Sequence, residues 1–508
     1  MSKVQDAYKE IEKAIGDDYI TDKDFMKAAY SRNVDPAFPD RWADIIVRPG
    51  TPEEVSDIVK IANKYKIVMV PRGGGADLVG GSVTQGGILL DLTRMNKIIE
   101  VNTDDYYVIV ECGITWGDLV SQIHPTGYTT GIIGPGSGYS ATIGGGLSNS
   151  TAGGGSTKYG LVPDICLGVE VVLPNPQGTI IRTGSAANKY AEPFCRYGVS
   201  PDFTGLFMGD VGTMGIKTKA FLRLFRDPQY KKNRSYILKK NNYQQVFEFS
   251  QKIRFEIADG LRDLMVLPPI FIQLFLANLD LGDFKLPRAK GPYVSVTLEA
   301  VDPAILDILV KKVDEIMTKD DAAFLIEFPG TEDVKWDYNL KQSFHFFQPT
   351  LSPNPPRVGA ATCHKIPISS IKDVVQKNID FGVRHKTELP EGNYYGFFAS
   401  MLYFLPNGNY VVLGAFTADN LDKDRKVAMD LWHKKTRDQV RYGGAHYWLG
   451  ESISQSVVEA GAYTPEYMQF FKDVKKAVDP NFLLSPKKFH LYSYDDDYTK
   501  YLVKDDEE

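Results

Sequence analysis

The segment Pro71-Arg-Gly-Gly-Gly-Ala-Asp-Leu-Val-Gly-Gly81, directly after the apolar run Ile67-Val-Met-Val70, constrains this chain more than any other. A strand that runs into five glycines within eleven residues exposes backbone N–H groups with few side chains in the way. Such a surface suits an oxygen-rich anion, because the amides approach closely and positive φ angles cost glycine little. A second glycine-rich stretch follows about sixty residues on, with Gly134-Pro-Gly-Ser-Gly138, Ala141-Thr-Ile-Gly-Gly-Gly146 and Gly153-Gly-Gly155. Two such segments imply one large phosphate-bearing cofactor held from two sides.

At 508 residues the chain exceeds a single core and is expected to form two or three domains. Its net charge of −6, from 58 basic and 64 acidic residues, argues against a nucleic-acid partner, which calls for a basic excess or stripe. The acidic ends Asp495-Asp-Asp497 and Asp505-Asp-Glu-Glu508 read as a solvated terminus. Cys112, Cys166, Cys195 and Cys363 stand far apart without a CxxC, so neither a disulfide framework nor a cysteine-held metal is expected, and a reducing, cytoplasmic compartment is. The first residues show an amphipathic charged pattern and not a secretory signal. No run of 18 apolar residues is present, so no membrane span is expected. The nearest approach, Met265–Ala277, is broken by prolines and a glutamine; it reads as a buried helix or subunit contact, with attachment to a membrane surface as the sharper alternative.

Residues 1–40 read as an N-terminal helical arm, 41–225 as the cofactor domain, 226–440 as a second α+β domain, and 441–508 as a C-terminal segment. Ala43–Pro49 reads as a strand. A helix is expected from Thr51, with Pro52 in its first turn, Glu54 completing a capping box, and valine or isoleucine at 55, 58, 59 and 61 forming the buried stripe. Short strands are expected at 67–70, 87–92, 97–101, 107–111, 168–173 and 179–182, and a helix at Pro465–Val478. Helix and strand alternate only early, which gives α+β and not a doubly wound repeat.

Several motifs then fall in order: Pro71-Arg-Gly-Gly-Gly75, Ala141-Thr-Ile-Gly-Gly-Gly146, Lys158-Tyr-Gly160, Gly168-Val-Glu-Val-Val-Leu173, Arg182-Thr-Gly184, Asp210-Val-Gly-Thr-Met-Gly-Ile216 and Val478-Asp-Pro-Asn-Phe-Leu-Leu-Ser-Pro486. This series resembles the FAD-linked oxidases of the vanillyl-alcohol oxidase and p-cresol methylhydroxylase fold, which also includes D-lactate and glycolate dehydrogenases. The resemblance is strong over 40–225 and 440–490 and weak between them. Arg196–Phe207 and Tyr442–Gly450 are similar to stretches of the vanillyl-alcohol oxidase branch. The implied fold is a two-part FAD-binding domain with an α+β cap over the substrate.

By that resemblance Arg72, Gly73, Gly74, Gly75, Ala76, Gly80 and Gly81 would lie along the FAD pyrophosphate. Thr142, Ile143, Gly144 and Gly145 would line the isoalloxazine and phosphate side, Gly212, Thr213 and Ile216 would hold the ribityl or adenine portion, and Pro135, Gly138 and Ser148 would also touch the cofactor. Relatives that attach FAD through a histidine of the first loop carry it where Ala76 stands, so attachment there is chemically impossible. The other attachment point of the branch falls near Asn409 or Tyr410, where a tyrosyl ether through Tyr410 competes with ordinary packing. The tyrosines and arginine that hold a phenolate fall at Leu78 or Val79, His446 and Tyr447, and the aspartate beside the flavin falls at Leu161, with Asp164 three residues on. A 4-alkylphenol substrate is therefore not supported. No HxGxxxxH run is present, and no metal is expected.

His446 is the expected catalytic base and Tyr447 the expected hydrogen-bonding partner of the substrate, with Tyr395, His345 and Arg357 as further pocket candidates. The expected function is an FAD-dependent oxidoreductase, an oxidase or dehydrogenase, that moves hydride from a small aromatic or hydroxylated organic substrate to the flavin. The alternatives are a 2-hydroxy-acid dehydrogenase, or a flavoprotein subunit of a larger electron-transfer or group-transfer complex. Oxygen or a redox protein is the expected electron acceptor, and a homo-oligomer the expected assembly.

Overall fold

The computed structural model describes residues 3–31, 41–77, 79–268, 290–326, 357–385, 387–388, 401–406, 409–419, 422–447 and 450–503. The chain opens with helix α1 (Lys3–Ile15), strand β1 (Ile20–Thr21) and helix α2 (Asp24–Tyr30). Next come β2 (Ile45–Val47), α3 (Pro52–Tyr65), β3 (Met69–Arg72) and β4 (Ile88–Asp91), which with β1 build a four-stranded sheet in the order β1-β2-β4-β3. Residues 1–40 are expected as an arm, yet α1 is part of this layer. Ala7, Ile11 and Ile15 are buried with Val55, Ile58 and Val59 of α3, and β1 pairs with β2. An amphipathic stripe needs a surface to cover, and α3 supplies it. The Thr51 hydroxyl accepts from the Glu54 N–H, and the Glu54 carboxylate accepts from the Gly50 N–H at 2.7 Å, one residue before the cap.

The chain then runs through β5 (Ile98–Asn102), β6 (Tyr107–Glu111), α4 (Trp116–Ile123), β7 (Tyr128–Thr129), α5 (Ile143–Ser148), α6 (Ser156–Tyr159), β8 (Cys166–Val172), β9 (Ile180–Arg182), β10 (Ile216–Arg223) and β11 (Phe225–Arg226). Strands β5-β6-β10-β8-β9 form a five-stranded antiparallel sheet, and β7 pairs with β11. The two sheets meet through Val172 and Ile216, which pack into the core of the first.

The second domain carries β12 (Tyr230–Leu238), α7 (Tyr243–Ile257), β13 (Leu261–Leu267), β14 (Tyr293–Ala300), α8 (Pro303–Thr318), β15 (Ala323–Ile326), β16 (Arg357–Pro367), α9 (Ile371–Arg384), β17 (Met401–Phe404), β18 (Asn409–Asp419) and α10 (Asp422–Arg441). An edge strand, β19 (Ala445–His446), completes an eight-stranded sheet in the order β15-β12-β14-β13-β17-β18-β16-β19. Side chains alternate across a strand, so each strand serves two environments. Tyr236, Leu264, Val266, Val296, Ile366, Leu402 and Phe404 pack under α7, α8 and α9. The opposite face carries Asp263 and Tyr403, which reach the first domain at Gly155.

Helices α11 (Glu451–Glu459) and α12 (Pro465–Val478) follow, and the chain returns to the first sheet. Met69 donates to the Leu483 carbonyl at 2.8 Å, and Ser485 donates to the Met69 carbonyl at 2.7 Å, so residues 483–485 extend β3 as a parallel neighbour. The turn is held by the wholly buried Asp479, whose carboxylate accepts from the amides of Leu483 (3.0 Å) and Leu484 (2.9 Å) and from Lys475 Nζ (2.6 Å). The same ammonium donates to the carbonyls of Thr213 (2.7 Å) and Leu484 (3.0 Å). Removing one partner of a buried pair leaves an uncompensated charge. Asp479→Ala should therefore cost about 3–5 kcal/mol in equilibrium urea unfolding. Pairing it with Lys475→Met should recover part of that loss, and a single-variant loss below about 1 kcal/mol would contradict the assignment.

Candidate functional site

Strand β3 ends at Arg72 and delivers Gly73–Ala76 to the wall of a cleft, open to solvent, between the two sheets and the C-terminal segment. No hydrogen bond among the described residues uses the amides of Gly73, Gly74, Gly75 or Ala76. Four successive amide donors lining a cleft form a concavity for an anion. Arg72 folds back under the loop: it donates to the Ser82 carbonyl at 3.1 Å and lies 5.4 Å from the Tyr30 ring. Burial lowers its pKa, and Asp77 and Asp91 oppose that. The Asp77 carboxylate pins the far end of the loop, accepting from the amides of Gly81 (2.7 Å) and Val79 (3.2 Å) and from the Ser82 hydroxyl. From behind, Lys488 donates to the Gly80 carbonyl and lies 3.4 Å from Glu451, which also holds Arg41 at 2.6 Å.

The second glycine cluster works differently. Its amides are occupied: Ile143 donates to Ile114 (3.0 Å), Gly144 to Cys112 (2.8 Å) and Gly146 to Thr142 (2.9 Å). Here glycine allows close approach. A Cβ on Gly144 would lie 2.9 Å from Cys112 Cβ, and one on Gly74 would overlap the Ser140 carbonyl across the cleft. The third wall is the turn at Val211 and Gly212, both left-handed with φ of 49° and 66°. Valine rarely adopts that conformation, so this turn stores strain beside the cleft. Asp210 holds it by accepting from the Gly212 amide (3.1 Å), the Met214 amide (3.2 Å) and Lys217 Nζ (2.6 Å).

Of the expected cofactor residues, Arg72, Gly73, Gly74, Gly75, Ala76, Gly81, Pro135, Thr142, Gly144, Gly145, Ser148 and Gly212 line this cleft, and so does Tyr447. Gly80, Gly138, Ile143, Thr213 and Ile216 do not. Ile143 and Ile216 belong to the apolar cores, and Thr213 is buried with its hydroxyl bonded to the Asp210 carbonyl (2.7 Å). Sequence reasoning missed Asn149 and Lys217, both in the lining. The spacing of Asp210 and Lys217 carried no signal, because the pair forms only when the 210–214 turn meets the start of β10.

His446 requires a correction. It sits opposite His364 in the β16–β19 register, with ring centroids 4.5 Å apart, and His364 shares its face with Ile366 of the helix-covered core. Alternation therefore turns His446 toward α10 and leaves its neighbour Tyr447 at the cleft. Burial pushes His446 down to about 3, far too weak a base for neutral pH. The Tyr447 hydroxyl accepts from the Ala152 N–H and donates to the Ala152 carbonyl at 3.3 Å.

On the cap face that meets the first domain, the Asp263 carboxylate accepts from the Gly155 amide at 2.9 and 2.8 Å and from the Tyr403 hydroxyl. Burial and Asp263 push the Tyr403 phenol up well above its ordinary value. Glu299 gathers Lys158 (2.6 Å), Arg262 (2.9 Å) and Tyr159 (3.1 Å). Burial alone would raise its pKa, but Arg262 and Lys158 hold it below the ordinary carboxyl range. Tyr395, His345 and Leu78, and residues 269–277 of the apolar run, lie outside the described residues, as do the side chains of Arg357, Asn409 and Tyr410. In backbone register Tyr410 is paired with Ile366 and Phe404. Among the described residues no three histidine, cysteine or acidic side chains form a metal-holding group.

Residues 43–184 match the family model described as an FAD binding domain. Two solved structures share the fold over nearly the whole chain. The 4-ethylphenol oxidase of Gulosibacter chungangensis superposes at TM-score 0.79 with 20% identity, covering 96% of this chain and 97% of that one. p-Cresol methylhydroxylase gives 0.79 at 18% identity, with 97% and 98% covered. The chain carries an FAD binding domain and shares the fold of p-cresol methylhydroxylase. FAD is its cofactor, and the α+β expectation holds. A Bacillus subtilis glycolate oxidase subunit is 32% identical over 231 residues, 45% of this chain and 46% of that protein. The mitochondrial cytochrome-type D-lactate dehydrogenase of Arabidopsis thaliana is 35% identical over 188 residues, 37% of this chain and 31% of that one. A Dictyostelium discoideum alkyldihydroxyacetonephosphate synthase is 32% identical over 191 residues, 37% and 29%. The matches span less than half the length of each of these relatives.

The donor set fits FAD: unoccupied amides at Gly73–Ala76 suit a pyrophosphate, and the buried Asn149 Oδ1, a cleft-lining acceptor with no partner among the described residues, suits a donor of the flavin or ribityl. Gly74→Ala should weaken FAD binding about tenfold or more by overpacking against Ser140, measured by flavin fluorescence titration of the apoprotein. With alanine where a first-loop histidine would attach the flavin, acid precipitation should leave the yellow colour in the supernatant. Colour in the pellet would show a covalent bond and overturn this expectation.

Proposed function

We propose that the chain is an FAD-dependent oxidoreductase that takes hydride from a small hydroxylated or aromatic organic substrate. The observation that carries this reading is the meeting, in one cleft, of the free amides of Gly73–Ala76, the second glycine wall and Tyr447 of the C-terminal segment. FAD supplies the two-electron acceptor when bound. Arg72 and the amides of Gly73–Ala76 would hold its pyrophosphate. Tyr447 fixes the turn at Ala152, and the Asp263–Tyr403 pair fixes Gly155, so the floor beneath the substrate is rigid. With His446 turned away, Tyr447 is the expected catalytic side chain that lines the cleft.

The named activities of the relatives support two other readings. Glycolate oxidase and D-lactate dehydrogenase favour a 2-hydroxy acid as substrate, and the synthase favours group transfer or a subunit role. Oxygen or a redox protein as acceptor, a homo-oligomeric assembly and a cytoplasmic location belong to this proposal. No described helix is long and apolar enough to cross a membrane, and Cys112, Cys166 and Cys195 are free thiols. Anaerobic addition of alcohols, 2-hydroxy acids and phenols to the yellow protein should bleach its flavin absorbance with at least one class. An absence of bleaching across all three would sink the oxidoreductase reading and leave group transfer.

A further inference from the structure

The return leg of the glycine loop is gripped from behind, on the side away from the cleft. Val79 is wholly buried among Phe381 of α9, Leu431 and Trp432 of α10, and Ile453 and Val457 of α11. A Cβ on Gly450 would overlap the Val79 carbonyl oxygen, so the start of α11 abuts the loop backbone. The peptide plane that follows is held at both edges. Its carbonyl, from Gly80, accepts from Lys488 Nζ, and its N–H, from Gly81, donates to Asp77 at 2.7 Å. Among the described residues nothing accepts from the amides of Gly73–Ala76, which line the cleft. One leg of the loop is thus fixed while the other presents free donors.

Lys488 reaches the Gly80 carbonyl from a strained stretch of backbone. Lys487 and Phe489, on either side of it, are left-handed with φ of 72° and 56°, and Ser485 and His490 are left-handed at 46° and 53°. That conformation is costly for any residue with a side chain and persists only where the surroundings enforce it, most often at functional sites. Here it carries Lys488 into the interior, 3% exposed, with its ammonium 3.4 Å from Glu451. Burial lowers the pKa of Lys488, and the carboxylates of Glu451 and Asp77 oppose that shift. Glu451 already holds both terminal nitrogens of Arg41, at 2.6 and 3.0 Å. A bidentate arginine satisfies a carboxylate, so pairing with Glu451 does not by itself account for a second buried cation. The contact that Lys488 alone makes is the one on the loop.

We infer that Lys488 is a positioning residue for the phosphate-binding loop: by fixing the 80–81 peptide from behind, it aims the unoccupied amides of Gly73–Ala76 at the pyrophosphate of FAD. The inference rests on the FAD reading and not on any choice of substrate. Lys488 and Gly80 lie outside the lining of the cleft, so the effect passes through the loop. Asp77 is the link. Its carboxylate is bonded to the Gly81 amide, and its backbone follows Ala76 directly, so a tilt of the 80–81 plane is felt at the end of the donor run. Donors fixed in place before binding lose little freedom when the ligand arrives, and loosening them adds that cost to every binding event.

Lys488→Met is compared with the parent by FAD titration of the two apoproteins and by their hydrogen exchange, read by mass spectrometry. Methionine keeps most of the stem and leaves Glu451 paired with Arg41. FAD binding should weaken about tenfold or more. Exchange should speed up in the segment that holds the Val79 and Gly81 amides and stay unchanged in the cap helices. Combined with Gly74→Ala, the loss should fall short of the product of the two single losses, because both changes act on one loop. Lys488→Gln, which keeps an N–H donor, should recover part of the affinity. Unchanged FAD affinity, a full product of losses, or exchange that rises throughout the chain would each overturn the inference, the last two marking a merely structural lysine. Should Lys488→Met fail to fold, Lys488→Gln is read against the parent in the same three ways, with a smaller loss expected and the same results overturning it. A parent apoprotein that takes up no FAD would sink the cofactor reading itself. A parent that binds FAD no better than the variant would remove only the role of Lys488.

Discussion

The buried ammonium of Lys475 is the contact on which the rest of the molecule depends. It joins α12 to the Asp479 carboxylate, to the Leu484 carbonyl beside β3 and to the Thr213 carbonyl of the turn that walls the cleft. One cation thus ties together the strand that launches the glycine loop, the strained Val211–Gly212 turn and the end of the chain. Burial lowers the pKa of Lys475, and the carboxylates of Asp479 and Asp210 oppose that shift. Because Leu483–Ser485 lie alongside β3, the cofactor domain is completed only after the whole cap has been made. The cap is an insertion between residues that must meet.

Much of the cofactor half was legible because its signals are local. Thr51, Pro52 and Glu54 mark a helix start by capping chemistry alone, and the alternating strand at 107–111 and the helix at 465–478 fall where periodicity puts them. What could not be read depends on partners distant in sequence. Residues 1–40 carry a helical stripe that says nothing of what covers it, and only α3 shows it to be core. The two glycine clusters look alike in sequence, yet one offers free amides while the other spends its amides on Cys112, Ile114 and Thr142.

His446 shows the same limit at its sharpest. A two-residue strand has no periodicity, so which of His446 and Tyr447 faces the cleft rests on register with β16, and that register follows from β18 pairing eleven residues with β16. A slip of one residue would exchange the two side chains. The resemblance named both residues, and only the register separates the one that lines the cleft from the one that does not.

That choice shapes the active-site floor. Tyr447, from beyond β19, clasps Ala152 through both its amide and its carbonyl, while Asp263, from the cap sheet, accepts from Gly155 with both carboxylate oxygens. Between them the 152–155 turn is gripped at each end by groups that belong to different parts of the chain. Thr157 continues the seam, its hydroxyl donating to the Phe404 carbonyl and accepting from the Leu264 amide. Charge-assisted and buried hydrogen bonds carry this junction, so its geometry is directional where an apolar contact would allow sliding. Movement of the cap would have to break Asp263 from Gly155 and Glu299 from Lys158 together. The junction between the two domains is therefore held in register by directional bonds at several points along one seam.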